Sequence, residues 1–166
     1  MIVVADASPL HYLVLIEQVA LLPALYGQVI IPHAVHEELQ HQKTPETVRV
    51  WMRHPPSWLD IRPSYPEYDP ELLRLGRGER QVILLAQAIS ADVLLIDERN
   101  GRRAARSRGL RTVGTLGILD EAAARALIDL PAALARLQAT TFYAPPELFE
   151  VILARDIERK RQQNES

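Results

Sequence analysis

The sequence contains no cysteine. Disulfides, thiolate metal sites and cysteine nucleophiles are therefore excluded, and the expected setting is a reducing cytoplasm. Long apolar runs are missing too: nothing approaches the roughly 20 residues that span a bilayer, so no membrane association is expected. There is no basic leader, and Asp6 interrupts the first apolar run too early for a signal peptide. Charge of one sign is not in excess either. A formal net charge of -2 gives no overall pull toward nucleic acid, which leaves any such binding to a local patch. Internal repeats are absent. What remains is 166 residues, 48% apolar and 24% charged, an ordinary globular composition with enough chain to bury one core without staples.

The chain opens as MIVVADASPL. Ile2, Val3, Val4 and Ala5 form a continuous apolar run that fits a strand buried on both faces. Asp6 stands where that strand ends, and Ser8 before Pro9 signals a helix start, with Ser as cap and Pro at the first helical position. Gly27 predicts the end of a second short helix. Val29 to Ile31 form a second buried strand, stopped by Pro32. PHAVHEELQHQ carries Val35 and Leu39 at i, i+4, a helix with one apolar side and Glu38 near its middle. TPETVRVWMRH reads as a further helix capped by Thr44, a short third strand covers 58–61, and RPSYPEYDP is a surface connection. Glu79 opens the next helix, where the dipole favours an acid. Val93 to Ile96 make a fourth strand ended by Asp97, a helix from Asn100 or Gly101 closes at Gly109, and Arg111 to Val113 make a short fifth strand. Helices are then expected over 115–128, 132–139 and 145–160, followed by a polar, fraying end.

This alternation predicts an α/β fold: three layers, with a central parallel sheet of four to five strands, right-handed crossovers and a helical C-terminal extension. The domain is expected to span 1–154, its helical part starting near 115, with 155–166 as a polar tail. Ligands of such sheets sit outside the carboxyl ends of the strands. Asp6 and Asp97 stand there, and Glu38 and Glu79 lie on helices flanking the same edge. Carboxylates drawn together repel one another, and an unpaired buried charge is costly, so the cluster needs a cation. Hard divalent ions suit it: Mg2+ takes one or two carboxylates, waters and a substrate phosphate, and two such ions about 3.5 to 4 Å apart serve phosphodiester hydrolysis.

The chain resembles the PIN-domain family. The likeness runs from Ile2 to about Ala154 and rests on four segments in the family's order: VVADASPL, IPHAVHEEL, GERQVI and LLIDERNGRRA. The resemblance puts the family's first acid on Asp6, with the nearby hydroxyl on Ser8, and the second on Glu38, with Glu37 as its neighbour. The third falls on Glu79, where many relatives have Asp, and the fourth on Asp97; Leu95 stands where many members have Thr or Ser. It implies a catalytic and metal-binding set of Asp6, Glu38, Glu79 and Asp97 holding Mg2+ or Mn2+, and metal-dependent cleavage of RNA, often as the toxin of a toxin and antitoxin pair. The partners it implies are RNA, an antitoxin protein and a second copy in a homodimer. The competing reading is a PIN-like module that binds RNA or a partner protein without cutting.

Arg99, Arg102, Arg103, Arg106, Arg108 and Arg111 occur with no acid between them. On a helix the first four share a side, where they either grip phosphates beside Asp97 or form a solvated face. Glu98 is expected to face solvent. His33, His36 and His41 lack the converging third and fourth ligands of a zinc site. A receiver domain needs an acidic pair after the first strand, which ADAS does not supply, and LGRGERQ does not fit a dinucleotide-binding glycine pattern.

Overall fold

The structure, a computed structural model, describes residues 1–66 and 68–166. The chain divides into two compact units, Met1–Thr115 and Leu116–Ser166.

The first unit alternates strand and helix: β1 (Val3–Ala5), α1 (Ala7–Leu15), α2 (Leu21–Tyr26), β2 (Val29–Pro32), α3 (His33–Leu39), α4 (Glu46–Arg53), β3 (Leu59–Arg62), α5 (Arg77–Ala88), β4 (Val93–Leu95), α6 (Arg99–Ser107) and β5 (Thr112–Val113). The apolar runs of β1, β2 and β4 are rich in Val, Ile and Leu, which favours short strands packed on both faces. Val3, Val4, Val29, Ile31 and Leu94 are fully buried, each contributing about 1.5–3 kcal/mol relative to exposure. Leu10 and Leu13 of α1, Val35 of α3, and Val82 and Ile83 of α5 bury equally completely. Gly27 ends α2 at φ 74°, a conformation that a side chain disfavours.

Among the described residues the five strands are all parallel, in the order β3-β2-β1-β4-β5. The result is the three-layer α/β arrangement with a five-stranded sheet. Val4 is in register with Ile30 on one side, and Ala5 with Leu95 on the other. The strand order reverses at β1, so a crevice opens outside the carboxyl ends of β1 and β4.

Two expected caps have other roles. Ser8 lies inside the first turn of α1, with Asp6 at the N-cap position, and its hydroxyl is used in the site. Thr44 precedes α4, whose N-cap is Pro45, and its hydroxyl donates to the Glu38 carbonyl at 2.9 Å. The connection between β3 and α5 contains Glu67, which lies outside the described residues. Around it the chain is fastened. Gln81 of α5 accepts from the Tyr65 backbone N–H at 2.6 Å and donates to its carbonyl at 2.9 Å, while Arg108 donates to Asp69 at 2.7 Å and to Gln87 at 3.0 Å.

The second unit is helical. It takes up α7 (Thr115–Ala124) from Leu116 onward, then α8 (Leu130–Gln138) and α9 (Pro146–Glu165). Ile118, Leu119, Leu130 and Leu137 are fully buried. Asp120 of α7 pairs with Arg155 at 3.2 Å and Arg159 at 2.9 Å on α9. The polar end expected to fray is helical to Glu165. Its charges fall at helical spacing, with Lys160 against Asp156 at 2.9 Å and Arg161 against Glu158 at 3.1 Å, and such pairs support a helix that has no apolar stripe. Among the described residues no helix is long and apolar enough to cross a membrane.

Candidate functional site

Asp6 follows the last residue of β1, and its backbone N–H donates to the carbonyl of Leu95, the last residue of β4, at 2.8 Å. Asp97 stands two residues beyond Leu95. The two acids thus end neighbouring central strands and share one rim of the sheet.

Asp6 is 6% exposed. Burial is the main reason that its carboxyl pKa is pushed up from 3.8 to about 8; the charges of Glu79, Glu38 and Asp97 push the same way, against the backbone N–H of Ala7. Carboxylates from positions 38, 79 and 97 therefore all act on one buried acid. Glu38, near the end of α3, has its pKa raised by burial and then by Glu79. Glu79 sits in the first turn of α5, and its carboxylate folds back against Gly76.

Asp97 is held by three hydrogen bonds. Its Oδ1 accepts from the Thr115 backbone N–H at 2.6 Å. Its Oδ2 accepts from Thr115 Oγ1 and from Ser8 Oγ, each at 2.7 Å. Bonds of this kind fix a carboxylate's orientation before any ligand arrives. Thr115 is fully buried, and sequence reasoning missed it. Its signal is the Gly-Thr pair that follows the short fifth strand, a helix-start pattern read only as a boundary.

Glycines form part of the wall. A Cβ on Gly78 would lie 2.8 Å from Glu38 Oε2 and 3.3 Å from Asp6 Oδ1. A Cβ on Gly114 would lie 2.9 Å from Asp97 Oδ1. Space beside the acids is thus kept by residues that have no side chain to fill it.

The neighbouring acids are engaged elsewhere. Glu37 pairs with Arg77 at 2.7 Å and His33 at 3.0 Å, and the Arg77 guanidinium is the main reason that its carboxyl is held below its usual range. Glu98 is exposed and caps α6, accepting from the Gly101 N–H at 2.6 Å; the helix accordingly starts one residue before Asn100. An open groove of about 380 Å³ runs between α3 and the head of α5, lined by Glu37, Glu38, His41, Arg77, Gly78 and Glu79.

On α6, Arg99, Arg103 and Arg106 are exposed and Arg102 is half-buried. Arg106 also donates through Nε to Thr112 at 3.0 Å. Arg108, although in the same run, is committed to Asp69 and Gln87.

Among the described residues, no three His, Asp or Glu side chains converge as a group that could hold a metal ion. The donor chemistry nonetheless fits a hard divalent cation. The acids offer only oxygen, the ionised form of buried Asp6 is destabilised by burial and by three neighbouring charges, and the glycine wall leaves room. Mg2+ keeps several waters and needs only one or two direct carboxylates.

A family model, DUF3368, described as a PIN domain, matches residues 2–158. Searches of curated proteins and of solved structures returned no match.

Proposed function

Since the chain belongs to the PIN-domain family, whose members are generally nucleases, we propose that it is a metal-dependent ribonuclease that hydrolyses RNA phosphodiester bonds with Mg2+ or Mn2+. The observation that carries this reading is the burial of Asp6 among the charges of Glu38, Glu79 and Asp97, at the crevice where α/β sheets bind ligands. When bound, the cation supplies an activated water and neutralises charge on the phosphate. Asp6, Glu38, Glu79 and Asp97 would hold it. Ser8 and Thr115 fix the orientation of the Asp97 carboxylate before any ligand arrives. Water oxygen bonds to phosphorus as the ester P–O bond breaks. The water gives up a proton and the leaving oxygen gains one, which yields a phosphomonoester end and a hydroxyl end. Arg99, Arg103 and Arg106 bind flanking phosphates from the exposed side of α6.

The test is cleavage of structured RNAs with Mg2+ or Mn2+, with chelated protein and the variants Asp6→Asn and Asp97→Asn as controls. Wild-type cleavage that the chelator and both variants abolish supports the reading; identical backgrounds in all samples overturn it. The absence of a converged three-ligand group among the described residues favours a second reading, a PIN-like module that binds RNA or protein without cutting. Binding without cleavage in the same assay selects it. The first reading extends to a cytoplasmic toxin acting as a homodimer with an antitoxin partner. A small protein encoded by the adjacent gene that forms a complex with this chain and silences it supports that extension.

A further inference from the structure

We infer that Arg102 is a catalytic residue, contacting a non-bridging oxygen of the phosphate under attack, and so differs in kind from the arginines that grip flanking phosphates on the same helix. The inference rests on the nuclease reading and names the group that would face its substrate's reacting centre.

Arg102 is placed by two short-range features. α6 starts immediately after the strand-end acid, with Glu98 as its cap, so position 102 falls one turn into the helix and leans back over the turn that precedes it. Gly114, on the neighbouring chain segment after β5, presents no side chain. Arg102 Nη1 lies 3.8 Å from the point that a Cβ on Gly114 would occupy, and Asp97 Oδ1 lies 2.9 Å from that same point. The guanidinium and the site's carboxylate therefore border one small gap.

They do not pair across it. Asp97 accepts from Ser8 and Thr115 instead. Among the described residues, Arg102 has no carboxylate or other side-chain acceptor. Its neighbours contrast with it: Arg106 is bonded to Thr112, and Arg108 to Asp69 and Gln87. Arg99 and Arg103 are exposed, whereas Arg102 is half-buried, with its guanidinium open to solvent rather than sealed without a partner. A half-buried cation beside the crevice, with no side-chain acceptor from the chain itself, is free to take an anion from solvent. The guanidinium fork matches phosphate oxygens in geometry and charge. A donor fixed where negative charge grows during attack at phosphorus stabilises the transition state more than the bound substrate.

Single-turnover cleavage of one labelled RNA, at saturating protein with Mn2+, separates this role from affinity. Arg102→Ala is expected to lower the rate constant at saturation by about 100-fold while half-saturation and its salt dependence stay close to wild type. Arg103→Ala is expected to do the opposite: weaker half-saturation, a salt slope smaller by about one, and an unchanged rate at saturation. Arg102→Lys, which keeps the charge but loses the fork, should fall between. An Arg102→Ala protein that cleaves at the wild-type rate, or that changes only in half-saturation as Arg103→Ala does, overturns the inference and leaves the nuclease reading standing. If wild type cleaves no RNA, that reading falls, and the assignment of Arg102 is decided by melting curves with inorganic phosphate and Mg2+. A phosphate-dependent rise in wild type that Arg102→Ala abolishes supports the phosphate contact. Equal rises, or none in either protein, refute it.

Discussion

The metal-free protein should grow less stable from pH 5 to pH 8, and Asp6→Asn should remove most of that loss. The reasoning begins with a raised acid: Asp6 has a pKa of about 8 against 3.8 for an unperturbed carboxyl. The native state therefore holds this proton more tightly than the unfolded chain. Stability from Asp6 is complete below about pH 4, declines while the unfolded acid is ionised and the native one is not, and is lost as pH passes through about 8. At about 1.4 kcal/mol for each pH unit, the gap is about 6 kcal/mol as a ceiling, and the part falling between pH 5 and 8 is about 4 kcal/mol. For a chain of this size, about 1 kcal/mol moves the melting temperature by roughly 2–4 °C, so the effect is large.

Urea unfolding in chelator at pH 5, 6, 7 and 8 measures it. Other groups add pH dependence of their own. Glu38 is raised and so acts in the same direction, whereas His11 and His36, lowered chiefly by burial, gain stability as pH rises through their range. The informative quantity is therefore the difference between wild type and Asp6→Asn at each pH. Asn keeps the shape and cannot ionise, so the variant should be the more stable protein at pH 8 and should lose its advantage toward pH 5. Mn2+ should close the gap from the other side, stabilising wild type by about 2.7 kcal/mol at a hundredfold excess over its Kd and Asp6→Asn far less. Parallel pH profiles for the two proteins would refute the burial argument. Equal metal responses would refute the role given to Asp6.

Gly78→Ala should weaken Mn2+ binding and cleavage together without unfolding the chain, because its Cβ would come within 2.8 Å of Glu38 Oε2 and 3.3 Å of Asp6 Oδ1; titration calorimetry and a melting curve check the two halves. Thr115→Val removes the hydroxyl bond to Asp97 but leaves the backbone bond, so metal affinity should drop by about 10-fold, the low end for a lost orienting partner, while Thr115→Ser retains it. Arg108→Ala should cost about 1–3 kcal/mol, seen as a lower urea midpoint, since its largely buried guanidinium satisfies Asp69 and Gln87 and fastens the connection leading to α5.

How much of this could be read from the sequence depended on whether the signal was local. Asp6 and Asp97 were legible because each interrupts a buried apolar run, and a parallel sheet sends strand ends to one rim whatever its strand order. That β1 and β4 are neighbours is a pairing fact, fixed by the Ala5 and Leu95 register, and no periodicity encodes it. Glu38 has no local mark apart from its motif segment, and Glu79 only that of an acid at a helix start; what distinguishes them from surface glutamates is their common action on Asp6. Ser8 and Thr44 show the limit from the other direction. Both have the residue type of a helix cap, but capping is worth only about 1 kcal/mol, and a hydroxyl within reach of a strand-end carboxylate or a helix-end carbonyl has a competing partner. The competitor of Ser8 lies 89 residues away, beyond any window used to recognise a cap. Thr115 was missed for the same reason: its backbone and hydroxyl converge on Asp97 only after β4 and β5 have paired through Leu95 and Val113. The tail erred by a different route. No apolar stripe marks it as helix, whereas α9 is continued by charges at i, i+3 and i+4. The residues that orient the acids are thus less visible than the acids themselves, since orientation comes from pairing of distant segments.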